Sequence, residues 1–248
     1  MTDRIFPGIA SMSLHRNGTT TVTSTDGRAI SSVLPPGTFA ESSAIASCTY
    51  LPASSTVRCE TIQGDYIDSE IPSLTDPSPL RGRPTIYLDQ NHWSTLANAI
   101  YDPGRVHSAA ELEAARELIE LAKAKRVVLP VSAGHMQETC QDGIDERRYQ
   151  RALTMLQISV GWRLTDPLAL RRIELRTALC ARYRGPDPAN PPAVTLDPGA
   201  LFRSRGASQP FSTTSDPGNL DQLQEILTTA MAHIDIFLDA ESIPAHPV

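Results

Sequence analysis

The chain has 248 residues, a net charge of −6, 40% hydrophobic residues and only 5% aromatic ones. That length supports one full domain plus a smaller unit built on an aliphatic core. The acidic balance excludes a nucleic-acid binder that works by global charge, although not a nuclease whose metal ions neutralise a carboxylate cluster. The four cysteines, Cys48, Cys59, Cys140 and Cys180, have no CxxC spacing. A structural zinc site is therefore not expected, and reduced thiols in a cytoplasmic protein are. The N-terminus lacks the apolar core of a signal peptide, and no apolar run nears the ~18 residues that span a bilayer. No membrane association is expected.

Residues 1–80 are rich in Ser, Thr, Gly and Pro and show no helical period. β-type runs occupy 19–25, 29–34, 44–51 and 55–62. Asp26-Gly27 between the first two is a type I′ hairpin signal, and Gly64-Asp65 is a weaker turn. This segment reads as a small β-meander or a partly disordered extension, followed by a proline-rich linker over 72–84.

Residues 81–248 change character and read as an α/β domain, a parallel sheet flanked by helices. Thr85-Ile86-Tyr87-Leu88 is a continuous apolar run, suited to a strand covered on both faces, and it ends at Asp89-Gln90-Asn91. Trp93, Leu96, Ala97 and Ile100 then recur at helical spacing, with Asn91 as a natural N-cap. A second helix over 109–125 presents Leu112, Ala115, Leu118, Ile119 and Ala122 on one face. Val127 to Val131 form another short apolar strand, and Ser132 caps the helix that carries Met136 and Glu138. A helix over 145–160 turns Tyr149, Leu153, Leu156 and Val160 inward, and a short strand follows at 162–164. Asp166-Pro167 opens a helix reaching Tyr183. A long loop over 185–217 precedes a last helix with Leu220, Leu223, Leu227, Ala230, Ile234 and Leu238 along one side.

In a parallel sheet, sites lie beyond the carboxyl ends of strands. Asp89 ends the first strand of the domain, and Asn91 lies two residues on. A carboxylate beside an amide is a hard oxygen site suited to Mg²⁺ or Mn²⁺. The plainer alternative is that Asp89 only caps the helix. Glu138, six residues after Ser132, brings a second carboxylate to the same edge if the two strands are parallel neighbours.

The run Ile86-Tyr87-Leu88-Asp89-Gln90-Asn91 resembles the opening strand of PIN-domain nucleases, which carries Asp followed two places on by Asn, Ser or Thr. The segment from Val128 to Glu138 resembles their second strand and following helix. The resemblance covers about residues 84 to 160 and is nearest to bacterial PIN-like proteins with a Leu-Asp-Gln-Asn strand. It implies a metal-dependent ribonuclease of toxin or defence type, in which metal-activated water attacks a phosphodiester. Carried over residue by residue, it implies Asp89 and Glu138 as catalytic metal ligands and Asn91 as a supporting polar residue. The implied partners are RNA and a protein such as an antitoxin. PIN domains also supply a third and a fourth acid, and no convincing apolar strand follows Leu164 to carry them. Asp216, Asp235 and Asp239 are the acids available. A truncated or degenerate, non-catalytic PIN-like binding module is therefore the competing expectation.

Three further groups bear on function. Arg147, Arg148 and Arg151 form a basic patch suited to gripping an RNA backbone. Arg171, Arg172 and Arg176 form another, with Arg203 and Arg205 in the long loop. His135, Glu138 and Cys140 resemble zinc ligands, but 140 lies about 160° around the helix from 138. His92 is a phosphate contact or a surface histidine. No Walker loop, GxSxG elbow or HExxH motif is present.

Overall fold

A computed structural model describes residues 8–41, 43–71, 80–141, 143–183, 185, 192–196 and 220–239. The first half is a six-stranded sheet of β1 (Ile9–His15), β2 (Thr19–Ser24), β3 (Ala29–Val33), β4 (Ile45–Leu51), β5 (Thr56–Thr61) and β6 (Tyr66–Glu70). Their order across the sheet is β3-β2-β1-β4-β5-β6, with every pair antiparallel. Two three-stranded meanders are thus joined edge to edge through β1 and β4. The Asp26-Gly27 turn closes the β2–β3 hairpin, with Gly27 at φ +86° and its N–H bonded to the Ser24 carbonyl at 3.0 Å.

Alternation along the strands decides which face is covered. Met12 and Leu14 of β1, Ile45, Cys48 and Tyr50 of β4, Val57 and Cys59 of β5, and Ile67 of β6 are buried. Apart from Ala46 the intervening positions are polar, and Ser13 and Thr49 meet across strands at 2.9 Å on the opposite face.

The helices are α1 (Gln90–Tyr101), α2 (Ala109–Lys123), α3 (Ala133–Cys140), α4 (Asp145–Ser159), α5 (Pro167–Tyr183) and α6 (Leu220–Asp239). Leu227, Met231, Ile234, Phe237 and Leu238 of α6 are buried where the helix lies on β4, β5 and α4. Their burial contributes on the order of 10 kcal/mol before chain entropy is counted. Sheet residues such as Leu14 and Tyr50 share one apolar cluster with Trp93 of α1 and Leu153 of α4. Among the described residues, no helix is long and apolar enough to cross a membrane.

The fold is therefore mixed α/β, but the sheet is not the parallel one expected over residues 81–248. Among the described residues, parallel pairing is confined to two isolated bridges, Thr85 with Val128 and Val131 with Arg163. Ile86 N–H donates to the Val128 carbonyl and Val128 N–H to the Pro84 carbonyl, both at 2.9 Å. Beyond Val131, β7 (Arg163–Leu164) pairs antiparallel with the equally short β8 (Val194–Thr195). The physical reason is cover. Leu88 is buried, but Ile86 and Tyr87 are exposed, so the Thr85–Leu88 run is not sandwiched. The covering helices α4 and α6 lie instead against the antiparallel sheet.

A polar seam ties β6 to the helical half. Glu70 N–H donates to the Val160 carbonyl at 2.9 Å, and Tyr149 Oη donates to Asp65 at 2.7 Å. Arg83 grips both Glu70 oxygens at 3.0 and 2.9 Å while stacking over Trp162, whose Nε1 donates to the same carboxylate at 3.1 Å. Gly161, at φ +86°, makes this approach possible: a Cβ there would meet Ser69 Cβ at 3.1 Å.

Candidate active site

The expected strand at 85–88 is an extended segment with one bridge, Thr85–Val128, which sets it parallel to the segment before α3, so both chains leave toward the same edge. Asp89 ends the first. Its backbone is extended (φ −80°, ψ 175°), and its carboxylate caps α1 by accepting from His92 N–H at 2.9 Å. Asn91 is not the cap, contrary to the sequence expectation: it lies inside the first turn and is exposed. Both residues are good caps, and the choice between them rests on where the strand releases the chain.

Ser132 does cap α3, as expected. Its Oγ accepts from His135 N–H at 3.2 Å, and His135 Nδ1 accepts from Ser132 N–H at 3.1 Å. This reciprocal capping box has histidine where Glu or Gln is usual. His135 is only 2% exposed. Its ring stacks on Tyr87 at 5.4 Å and 21°, and meets Trp93 edge-on at 6.1 Å.

The two acid-bearing segments are bonded directly to each other. Gln90 Nε2 donates to Thr139 Oγ1 at 2.8 Å, joining the neighbour of Asp89 to the neighbour of Glu138. Thr139 Oγ1 in turn donates to the His135 carbonyl at 2.8 Å. Asp89 and Glu138 are both exposed, and the charges of both reach the His135 imidazole.

The electrostatics follow from these contacts. The His92 N–H bond, aided by the His92 ring 2.6 Å from Asp89 Oδ1, holds the Asp89 carboxyl below the usual range. Burial pushes the His135 imidazole down, against the pull of the Leu88 carbonyl and of Glu138 and Asp89. With Nδ1 accepting, the neutral ring carries its proton on Nε2. Among the described residues, His135 Nε2, Trp93 Nε1 and Gln90 Oε1 are buried polar atoms without a hydrogen-bond partner. Leaving such a group unmet costs about 1–3 kcal/mol.

No family model matches the chain, and no curated protein or solved structure shows significant similarity to it.

The remaining expected site residues are dispersed. Arg147 is exposed, but Arg148 is buried and bonded to Asp145, and Arg151 is half-buried. The three do not make an exposed patch, because α4 packs on α1, α3, α6 and β6 and draws Arg148 inward. Arg171, Arg172 and Arg176 of α5 are exposed, with Arg171 paired to Glu174 at 3.2 Å. Asp235 accepts from Ala44 N–H at 2.9 Å beside the large sheet, so that carboxylate is committed to the sheet. Asp216, Arg203 and Arg205 lie outside the described residues, as does the side chain of Asp239. Among the described residues, no three His, Cys, Asp or Glu form a group that could hold a metal, which removes the His135–Glu138–Cys140 zinc set. His92 is an exposed partner of Asp89.

Among the described residues, Asp89 and Glu138 are the two carboxylates at this junction. That suits an ion such as Mg²⁺, which uses one or two carboxylates and keeps several waters. Sequence reasoning overlooked the Gln90–Thr139 bond and the linking position of His135. The Ser-x-x-His spacing was a legible signal for the second, hidden by the unusual residue in the third helical position.

Proposed function

We propose that the chain is a PIN-like metal-dependent ribonuclease of the toxin or defence type. The observation that carries this reading is the Gln90–Thr139 bond, which ties the Asp89 strand end to the Glu138 helix. The parallel Thr85–Val128 bridge beneath it supports the same geometry. Asp89 and Glu138 would hold Mg²⁺ or Mn²⁺, and the ion, when bound, supplies Lewis acidity and an activated water. The chain's own residues do the positioning. His92 orients the Asp89 carboxylate, Gln90 and Thr139 hold the two segments together, and Asn91 offers a polar contact in the first turn of α1. The exposed arginines of α5, rather than the expected α4 set, are the candidates for holding an RNA backbone.

The test is cleavage of mixed RNA by the purified chain with Mn²⁺. Cleavage is expected, and Asp89→Asn is expected to abolish it; activity that survives Asp89→Asn overturns the site. A second reading, a non-catalytic PIN-like module that binds RNA or a protein partner, is favoured by one observation. Among the described residues, a third acid beside Asp89 and Glu138 is missing. RNA binding without cleavage would support that reading.

A further inference from the structure

We infer that His135 is the positioning residue of this site, the imidazole that locks the extended segment leading to Asp89 against the helix bearing Glu138. One ring makes every contact the role needs. Its Nδ1 is fixed by Ser132 N–H at the start of α3. One face lies on Tyr87, two residues before Asp89, and Trp93 of α1 meets its edge. Glu138 follows on the next turn of the same helix. The ring therefore sits where the strand end, α1 and α3 converge, and it is 2% exposed.

Capping alone does not account for a histidine here: glutamine in the third helical position would complete the same capping box but could not stack on Tyr87. A rigid aromatic ring stacked on Tyr87, two residues before Asp89, limits how far that segment can swing, whereas glutamine is flexible. His135 thus acts through Asp89 and Glu138 and need not touch a substrate.

The consequence for catalysis rests on the nuclease reading; the locking itself does not. The test uses the full chain with His135→Gln, which retains the capping box, and His135→Asn, which retains only the acceptor near Nδ1. Amide hydrogen exchange without metal is the first readout. Exchange over residues 88–92 is expected to accelerate about tenfold or more in both variants, while α2 and α4 stay protected. Mn²⁺ affinity by calorimetry and RNA cleavage are the second, with losses of about 10–100-fold, the range for groups that support a metal ligand. Unchanged exchange over 88–92 in His135→Gln overturns the inference. So does a wild-type enzyme that cleaves RNA and loses neither affinity nor rate in that variant. A wild-type chain that neither binds Mn²⁺ nor cuts RNA, but shows the exchange effect, overturns the nuclease reading and leaves the lock supported.

Discussion

Gln90 and Thr139 are joined by a 2.8 Å hydrogen bond between side chains 49 residues apart, and they are the immediate neighbours of Asp89 and Glu138. Thr139 is 3% exposed. Thr139→Val keeps its shape but removes the acceptor, leaving the Gln90 amide without its partner. We expect a loss of about 1–3 kcal/mol in chemical denaturation. Mn²⁺-dependent cleavage should fall more than the stability loss explains, because the two carboxylates lose their shared tie. Thr139→Ser, which keeps the hydroxyl, should restore most of both.

Asp89 caps α1 and, on the proposed nuclease reading, also holds the metal; substitution can separate the two. Asparagine caps helices as well as aspartate does, so Asp89→Asn should leave the circular dichroism of α1 intact. It should still reduce metal-dependent cleavage by on the order of 100-fold, as when one electrostatic stabiliser is lost. Glu138→Gln should behave alike, since Glu138 is an exposed residue within α3. A protein that keeps full activity in both variants has its chemistry elsewhere.

Much of the fold was legible, and the failures have identifiable causes. The runs at 19–25, 29–34, 44–51 and 55–62 became β2 to β5 because β-branched residues and Asp26-Gly27 report local preference directly. Strands β1 and β6, with Ala-Ser-Met-Ser and Asp-Ser-Glu in them, carry little such preference and owe their state to their neighbours. The Thr85–Leu88 run was read as doubly covered, but apolar composition does not say whether a covering helix arrives. Tyr87 is 61% exposed even though its ring stacks on His135. Of the candidate site, the Ser132 cap was legible from spacing. Gln90–Thr139 was not, because nothing local marks a side-chain bond across 49 residues.

The cysteines give a test of the core. Cys48 and Cys59 face each other in register on β4 and β5, with sulfurs 3.0 Å apart and both residues wholly buried. Burial pushes the Cys48 thiol well up, with Cys59 beside it adding to the effect. Both should resist a thiol reagent in the native state, since neither sulfur is reachable from solvent. Cys140 and Cys180 are half-buried and should react. Without reductant, two thiols should titrate natively and all four in denaturant. Only two in denaturant would mean that Cys48 and Cys59 are joined.

Stability should fall in two stages as pH drops, and the sign follows from each group. The His135 imidazole is held down in the folded state by burial, against Leu88, Glu138 and Asp89. The unfolded chain therefore takes up its proton first. This contribution is complete above about pH 6.5, the unperturbed histidine value, and is lost as pH falls from there through the folded value. His135→Gln should abolish this stage. At Glu70, burial works against the charge, but the two Arg83 bonds, Lys125 and the Trp162 N–H outweigh it, and the carboxyl is held low. Its contribution is present above about pH 4.3 and is lost as pH falls through the depressed folded value. Arg83→Met would leave the Glu70 carboxylate, 13% exposed, without its main partner. It should cost about 3 kcal/mol at neutral pH, the scale for breaking a buried pair, and should flatten or invert the second stage. Thermal melts from pH 8 to 3 on the three proteins check both stages. A wild-type melting temperature that stays level between pH 7 and 5, with no difference from His135→Gln, would contradict the buried neutral imidazole.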